Sequence, residues 1–165
     1  MIDFFARLFA RPQPVLSEAG PRDAAALAAL HAGSFRRGWS DHEFERLLLE
    51  KSVVAHRAMA GRTLAGFVLS RIAGGEAEIL SIAVAPPRRG RGLARRLLDL
   101  HLRRLAGVAV TAVFLEVDED NRAARRLYAR AGFRDVGRRP AYYSRGIPGA
   151  SQAHATALVL RRDLA

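Results

Sequence analysis

The chain has 165 residues, carries a formal net charge of +11 and contains no cysteine. A length of this order predicts one domain whose core needs no covalent staples. The absence of cysteine excludes a disulfide framework, a thiolate metal site and a cysteine nucleophile. No apolar run approaches the roughly 20 residues that span a bilayer, so we expect no membrane contact and a cytoplasmic location. The histidines lack the spacing of metal ligands, and no metal is expected on any of them: His31, His42, His56, His101 and His154.

Nearly all of the positive charge is arginine, since Lys51 is the only lysine. A strongly basic chain attracts phosphate groups, which occur in nucleic acids, on anionic membrane surfaces and in phosphorylated cofactors. A bias toward arginine also follows from genome base composition. The charge alone therefore does not choose among these partners.

The first half of the chain predicts two helices followed by three strands. Asp23 is placed to cap a helix that runs to about Leu30. Ser40 or Asp41 caps a second helix over residues 43–51, whose apolar side chains recur at helical spacing. Turn residues then separate three strands: residues 53–59, 63–72 and 78–84.

The second half predicts two helices that alternate with strands. The pair Pro86-Pro87 ends the third strand, and a helix with one leucine stripe follows over residues 92–106. The run 110–117 is almost entirely apolar, as in a strand buried on both faces. Asn121 caps the last helix and Gly132 ends it. This helix and the two final strands cover residues 122–130, 133–136 and 157–160. The order of elements predicts an α+β fold, in which helices cover both faces of a mostly antiparallel sheet.

A loop of glycine and arginine, Arg88-Arg-Gly-Arg-Gly92, joins the third strand to the leucine-striped helix. Gly90 and Gly92 allow backbone N–H groups to turn toward an anion and approach it closely. The helix N-terminus points its positive dipole end at the same place, so the loop suits a pyrophosphate. The loop lacks the Gly-Lys-Ser/Thr of a P-loop and the third small residue of a dinucleotide fingerprint. Two alternatives stay open here: the glycines are ordinary turn residues, or the arginines form a basic patch.

This loop and several other motifs resemble the GCN5-related N-acetyltransferases (GNAT). Arg89-Gly-Arg-Gly-Leu-Ala94 matches the family signature Arg/Gln-x-x-Gly-x-Gly/Ala. Residues 114–117, 121–124 and 127–133 match the second half of the family. Residues 35–40 and 137–143 resemble one branch, the bacterial alanine N-terminal acetyltransferases that modify a small-subunit ribosomal protein. The resemblance covers roughly residues 13–162.

The resemblance implies the GNAT fold, a mixed, mostly antiparallel sheet of six or seven strands flanked by about four helices. In that fold the fourth strand splays from the fifth at a bulge, and acetyl-CoA lies in the gap as cosubstrate. Backbone amides near Ile82, Ala83 and Val84 would hold the pantetheine and polarise the thioester carbonyl. Asn121 would also contact the pantetheine, beside its role as a helix cap. The pyrophosphate would lie on the backbone amides of the signature: Arg89, Gly90, Arg91, Gly92, Leu93 and Ala94.

Two side chains receive catalytic roles from the same resemblance. Glu116 is a lone carboxylate in an apolar strand, and it would act as the general base that deprotonates the incoming amine. We expect this carboxylate to be buried and unpaired, a costly arrangement that favours a functional role. Tyr128 would protonate the departing thiolate as the general acid. The structural alternatives are a hydrogen-bond acceptor at a sheet end for Glu116 and a core ring for Tyr128.

The acceptor site is less clear in the sequence. Trp39, Tyr142 and Tyr143 match positions that shape the substrate channel of the family, although ordinary loop packing explains them nearly as well. The chain has His154-Ala155 where relatives in the branch often carry Asp-Ala, and residues 144–152 contain no acidic residue. Both departures leave acetyl transfer intact and put the particular protein substrate in doubt.

Three functions therefore remain open at the level of the sequence. The first is N-terminal acetylation of a protein, such as the alanine of a ribosomal protein, and the second is acetylation of a small amine. The third is a basic RNA- or ribosome-binding module without catalysis, which would show strongly salt-dependent binding. We expect an extension over residues 1–12, one acetyltransferase domain over residues 13–165, and a monomer or weak dimer.

Overall fold

The computed structural model describes residues 13–140 and 156–164 of the chain. In these residues seven strands form one sheet and four helices pack on it. The strands are β1 (Val15–Glu18), β2 (Val53–Ala60), β3 (Thr63–Ala73), β4 (Glu76–Val84), β5 (Ala112–Asp118), β6 (Arg134–Arg139) and β7 (Ala157–Asp163). The helices are α1 (Ala24–Ala32), α2 (Asp41–Leu49), α3 (Leu93–Gly107) and α4 (Arg122–Arg130). The predicted boundary after residue 12 lies at the edge of this part and stays a prediction.

The strand order in the sheet is β1-β2-β3-β4-β5-β7-β6. Neighbouring strands are antiparallel except β4 and β5, which run parallel because α3 forms the crossover between them. The expected GNAT architecture, a mixed and mostly antiparallel sheet with helices on both faces, is confirmed.

The strands β4 and β5 separate toward their carboxyl ends. They pair from Glu76 with Ala112 to Ile79 with Leu115, and the pairing stops there although both strands continue. On the other side of β4 the register with β3 shifts, so that Leu80 is an extra residue between Ile79 and Ser81. This bulge turns the end of β4 away from β5, which confirms the predicted splay.

Two apolar cores lie on opposite faces of the sheet, because successive side chains of a strand point to opposite sides. The first core, under α3 and α4, includes Val68 of β3. The second core, under α1 and α2, includes Phe67 and Leu69 of the same strand. Different pairs of helices therefore cover the two faces of the sheet.

The helix α3 approaches the sheet closely over Gly66 of β3. A Cβ atom at this position would lie 2.9 Å from the carbonyl oxygen of Ala83 and 3.0 Å from Cδ1 of Leu97. Glycine is required here because a Cβ would meet the backbone of β4 as well as the Leu97 side chain of α3.

The helix ends agree with the sequence patterns at two places and differ at one. Ser40, one of the two predicted caps, is the N-cap of α2 and forms a capping box with Glu43, whose N–H donates to Ser40 Oγ at 3.2 Å. Gly132 follows α4 with φ +84°, as expected of a C′ glycine. Asp23 is the N-cap residue of α1, as predicted, but its side chain makes no capping hydrogen bond to this helix. A 3₁₀ turn precedes α1 and is closed by the Asp23 N–H, which donates to the Gly20 carbonyl oxygen. The Asp23 carboxylate instead accepts the Gly20 N–H and pairs with Arg57.

Candidate active site

The glycine-arginine loop presents backbone N–H groups at the start of α3. Gly90 and Gly92 have φ of +71° and +76°, and a Cβ at either position would meet no atom within 4 Å. Gly92 is the N-cap of α3 and offers no side-chain acceptor. The N–H groups of the first turn therefore lack partners inside the helix and face the loop. Together with the helix dipole they form a site for an anionic group.

The side chain of Arg89 turns back from this loop toward the sheet. Its Nε donates to the carbonyl oxygen of Val84 at 2.9 Å, and one terminal nitrogen lies 3.5 Å from Ser34 Oγ on the segment after α1. The guanidinium thus ties the loop to the end of β4. The backbone of Arg89, rather than its charge, is left for a ligand.

A small basic cavity of about 70 Å³ lies beside the loop. Arg96 forms part of its wall and donates to the carbonyl oxygen of Pro14 at 3.2 Å. The other lining residues are Gln13, Arg88, Arg91 and Leu93. The sequence left open whether these arginines form a basic patch or a phosphate site. Three of them line this cavity, two from the glycine-arginine loop itself and one from α3.

The end of β4 offers a second set of backbone groups. Ile82, Ala83 and Val84 lie beyond the last pair with β5, so the N–H and C=O groups on that edge have no strand partner. Ser81 lies in the same stretch, and its Oγ is the one buried side-chain nitrogen or oxygen without a hydrogen bond in the described residues. Ser81 is paired with Leu69 of the second core, which places its side chain on the α1–α2 face.

Glu116 is exposed and paired, which corrects the expectation of a buried and unpaired carboxylate. Its side chain is 37% exposed and lies 3.0 Å from Nη1 of Arg139 on β6. Leu115 and Val117, its neighbours in β5, point into the first core, so Glu116 points to the α1–α2 face. The predicted burial of both faces of this strand is wrong because α3 and α4 cover only one of them.

Tyr128 lies on the opposite side of the sheet from Glu116. It is 5% exposed within the first core, and its ring meets that of Phe133 edge to face at 5.7 Å. Burial raises the pKa of its phenol to about 12. Asn121, at the start of the same helix, accepts the Ala124 N–H at 3.1 Å and so performs the predicted capping role.

Trp39 lies in the segment between α1 and α2, against the second core. Its ring stacks on His31 at a centroid distance of 4.7 Å. Tyr142 and Tyr143, the other two predicted channel residues, lie outside the described residues, as does His154. Of the three predicted acceptor residues, Trp39 is thus the one whose surroundings are known, and it shares a face of the sheet with Glu116.

Sequence reasoning missed three side chains around this site, namely His31, Ser81 and Arg139. His31 follows Leu27 by one helical turn on the buried face of α1, a spacing that singles out a core histidine. Ser81 and Arg139 give no such signal, because a strand register and an ion pair between strands depend on the tertiary fold.

Comparison with known proteins identifies the family of this site. The sequence profile described as "Acetyltransferase (GNAT) family" matches residues 24–133, from the start of α1 through the turn after α4. The chain belongs to the GNAT family. The members of this family are acetyltransferases that use acetyl-CoA as the acyl donor.

Sequence relatives of this chain carry names that point to different acceptors. It is 37% identical over 129 residues to the N-alpha-acetyltransferase RimI of Mycobacterium tuberculosis, a match that covers 76% of this chain and 75% of that protein. It is 34% identical over 138 residues to a mycothiol acetyltransferase of Clavibacter michiganensis, covering 76% of this chain and 45% of that protein. The chain thus spans less than half the length of that second relative.

Solved structures show the same fold. The ribosomal-protein-S18-alanine N-acetyltransferase of Escherichia coli superposes with a TM-score of 0.80 at 23% identity, covering 91% of this chain and 93% of that one. NAA60 of Arabidopsis thaliana, solved in complex with acetyl-CoA, gives 0.77 at 22% identity, covering 92% and 98%. Among residues 13–140 and 156–164, no helix has the length and apolar character needed to cross a bilayer.

Proposed function

We propose that this acetyltransferase moves the acetyl group of acetyl-CoA to the N-terminal α-amine of a protein, with alanine as the first residue. The observation that carries this proposal is the splay between β4 and β5. Three features lie around this opening: the glycine-arginine loop at the start of α3, the free edge of β4, and the Glu116 carboxylate on β5. A donor held by its phosphates at the loop would lie with its reactive end between the two strands.

The backbone supplies most of the proposed donor site. The N–H groups at the start of α3, in the segment Arg89 to Ala94, would bind the pyrophosphate, with Asn121 near the pantetheine. N–H groups on the free edge of Ile82, Ala83 and Val84 would stabilise negative charge on the thioester oxygen. Acetyl-CoA supplies the electrophilic acyl carbon. No metal is needed in this scheme, since backbone N–H groups and a helix dipole complement the charge.

Glu116 is the proposed general base. Its present partner, the Arg139 guanidinium, is largely exposed, and such a pair contributes only about 0–1 kcal/mol. An incoming ammonium group can therefore replace Arg139 at the carboxylate at little cost. An N-terminal α-amine has a pKa of about 7.7–8.0 against about 10.4 for lysine, so a modest base suffices for the former. Glu116 would accept the proton as the amine nitrogen bonds to the acyl carbon.

Tyr128 is the proposed proton donor to the leaving sulfur. Its pKa of about 12 keeps the phenol protonated at neutral pH. A thiol resembling cysteine has a pKa of about 8.5, so Tyr128 first stabilises the sulfur as a hydrogen-bond donor. A sulfur held in the same apolar surroundings would have the pKa of its thiol raised as well, which would favour completion of the transfer. The phenol then recovers its proton from solvent as the products leave.

A small-molecule amine is the second candidate acceptor. It is supported by the similarity to mycothiol acetyltransferases, although this chain covers only 45% of the first of them. The RimI relative is covered over 75% of its length, and this difference favours a protein N-terminus. The non-catalytic RNA-binding alternative is set aside because the chain belongs to an enzyme family, and nucleic-acid contact stays a prediction of a secondary property.

A thiol-release assay with acetyl-CoA tests the proposal. The acceptors are peptides that begin with Ala, Ser or Met, an Ala peptide with a blocked N-terminus, and a panel of small primary amines. We expect turnover on the free Ala peptide and none on the blocked one. Turnover confined to small amines would select the second candidate, and the absence of acetyl-CoA binding would overturn both.

A further inference from the structure

His31 is a buried side chain that the proposed chemistry does not use. It lies in the last turn of α1 and is 3% exposed. Its Nδ1 accepts the backbone N–H of Trp39 at 3.1 Å. The imidazole is stacked between Phe35 at 4.3 Å and Trp39 at 4.7 Å, and it meets the edge of Phe44 at 5.4 Å. One ring thus contacts both ends of the segment that joins α1 to α2.

This segment, residues 33–40, is defined here as the acceptor loop. It folds tightly against α1, since a Cβ on Gly38 would lie 3.1 Å from Cα and Cβ of Ala32. Ser34 Oγ donates to the carbonyl oxygen of Leu30 at 2.9 Å. The middle of the loop is exposed, and its far end begins the capping box of α2. The His31 contact to Trp39 is therefore the hydrogen bond that joins the far half of the loop to α1.

The hydrogen bond requires an unprotonated Nδ1, because a histidinium ring donates from both nitrogens. Burial lowers the pKa of His31, and the Glu43 carboxylate on α2 raises it by a smaller amount. The other groups packed against the ring from the loop, α2 and β3 are Phe35, Trp39, Phe44 and Phe67, none of which titrates. Near neutral pH the ring is thus uncharged and able to accept the bond.

We infer that His31 is a positioning residue, which holds Trp39 and the acceptor loop in the arrangement that binds the amine substrate. The inference rests on the proposed function, because the acceptor site is assigned to the face of the sheet that Trp39 shares with Glu116. Loss of the Nδ1 acceptor would release the far half of the loop. The affinity for the acceptor would then fall, while the affinity for acetyl-CoA at the glycine-arginine loop would not change.

Two substitutions separate the ring from its acceptor atom. His31→Asn keeps an acceptor near the position of Nδ1 and cannot become charged, whereas His31→Phe keeps a stacking ring without an acceptor. His42→Asn is the matched control, because His42 is an exposed histidine on α2. Far-UV circular dichroism of each variant establishes that it is folded before comparison.

The first readout is the fluorescence of Trp39, which is the only tryptophan of the chain. Acid titration of the wild-type protein should change the emission at a pH below the ordinary histidine value of about 6.5, because burial lowers the pKa at which His31 becomes charged. The change should persist in His42→Asn and vanish in His31→Asn. An identical titration in His31→Asn would overturn the inference. This arm needs no substrate, so it tests the contact between His31 and Trp39 even if the proposed acceptor is wrong.

The second readout compares the KM for the acceptor with the KM for acetyl-CoA, using the acceptor that the thiol-release assay identifies. His31→Phe should raise the KM for the acceptor about tenfold, the effect of one lost hydrogen bond, and leave the KM for acetyl-CoA within about twofold. His31→Asn should restore the acceptor KM to within about threefold of wild type. Equal changes in both constants, or no change in either, would contradict a positioning role. If no amine is turned over by the wild type, the proposed function fails and the fluorescence arm still stands.

Discussion

Glu116 and Tyr128 differ in the feature that matters most for proton transfer, which is their exposure to water. Glu116 lies on the α1–α2 face with an exposed arginine partner, where an amine from solvent can reach it. Tyr128 lies in the first core, where burial holds its pKa near 12. The carboxylate is thus open to an amine from solvent, whereas the phenol keeps its proton at neutral pH.

Glu116→Gln should lower kcat/KM for the acceptor by about 10²-fold or more, because the amide cannot accept the amine proton. The free energy of unfolding should change by less than about 1 kcal/mol, since the pair with Arg139 is exposed. Steady-state kinetics and urea unfolding measure the two effects. Glu78→Gln, at an exposed carboxylate of β4, is the matched control. Retention of most of the activity by Glu116→Gln would exclude it as the base.

Tyr128→Phe should lower kcat by about 10²-fold, the smaller end of the usual general acid effect, with little change in either KM. The ring keeps its contact with Phe133, so the fold should persist. Because the pKa of Tyr128 is raised to about 12, the kcat of the wild type should show no loss from phenolate formation up to about pH 10. A fall in kcat near pH 9 that disappears in Tyr128→Phe would contradict the raised pKa, and a kcat left unchanged by Tyr128→Phe would exclude Tyr128 as the acid.

The sequence located these side chains on the correct elements but could not give their burial. Glu116 lies in an apolar run that shows no alternation of apolar and polar residues, because Phe114 is apolar although it points to the same face as Glu116. In the structure Phe114 is only partly buried and lies against Arg161. The helices that pack on a strand decide which of its faces is buried, and their positions are set by the tertiary fold. The partner Arg139 lies 23 positions away on another strand, so its contact leaves no local pattern.

At the scale of elements, the site depends on the crossover through α3 that connects β4 and β5, and on the separation of these two strands toward their carboxyl ends. The loop after β4, the helix α3 and the bulge at Leu80 set the opening together. The glycine-arginine loop and the start of α3 were predictable from turn chemistry and helix capping. The splay was expected only from the resemblance to the family, because a register shift arises from pairing with β3 and carries no signal within β4.

Gly66→Ala tests the close approach of α3 to the sheet. The added methyl group would meet the Ala83 carbonyl oxygen of β4 at 2.9 Å and Cδ1 of Leu97 on α3 at 3.0 Å, so the free energy of unfolding should fall by about 1–3 kcal/mol. Gly107→Ala, in the last position of α3, is the matched control, because a Cβ there meets nothing within 4 Å. It should be neutral or stabilise the protein by up to about 1 kcal/mol. Equal effects of the two substitutions in denaturant unfolding would contradict this packing.

At the scale of the whole molecule, a buried polar network joins β2, β3 and α3. Nδ1 of His56 lies 2.8 Å from Nδ1 of His101, and Nε2 of His101 lies 2.7 Å from Ser70 Oγ. Burial, with a further contribution from His56, lowers the pKa of His101 to about 3. Burial also lowers the pKa of His56, while Glu18 raises it and Arg104 lowers it. Both rings are therefore uncharged in the folded protein at neutral pH.

This network should make the protein sensitive to mild acid. The unfolded chain binds protons at histidine near pH 6.5, whereas the folded chain resists them, so stability is full above about pH 6.5 and declines below it. Each histidine contributes a slope of up to about 1.4 kcal/mol per pH unit. Unfolding measured from about pH 6.5 to 5, where carboxylates stay ionised, should show this decline. A flat profile over this interval would contradict the assignment of neutral, buried imidazoles.

The fold class was predictable from repeated patterns along the chain, such as the leucine stripe of α3. The family was predictable from the motifs that resemble the GNAT proteins, such as residues 89–94. The His56–His101–Ser70 network was not, since its members come from three elements and meet only in the folded protein. The stack of His31 on Trp39 joins a helix to a loop in the same way. Polar groups that pair across elements are therefore the part of this molecule that required a structure.

Tandem mass spectrometry of a reacted peptide tests the central claim most directly. The peptide begins with alanine and contains one internal lysine, and it is incubated with the protein and acetyl-CoA. We predict one added acetyl group on the α-amine of alanine, none on the lysine side chain, and its near absence with Glu116→Gln. Acetylation of the lysine, or an unmodified peptide under conditions that acetylate a small amine, would contradict the assignment of this protein as an N-terminal acetyltransferase.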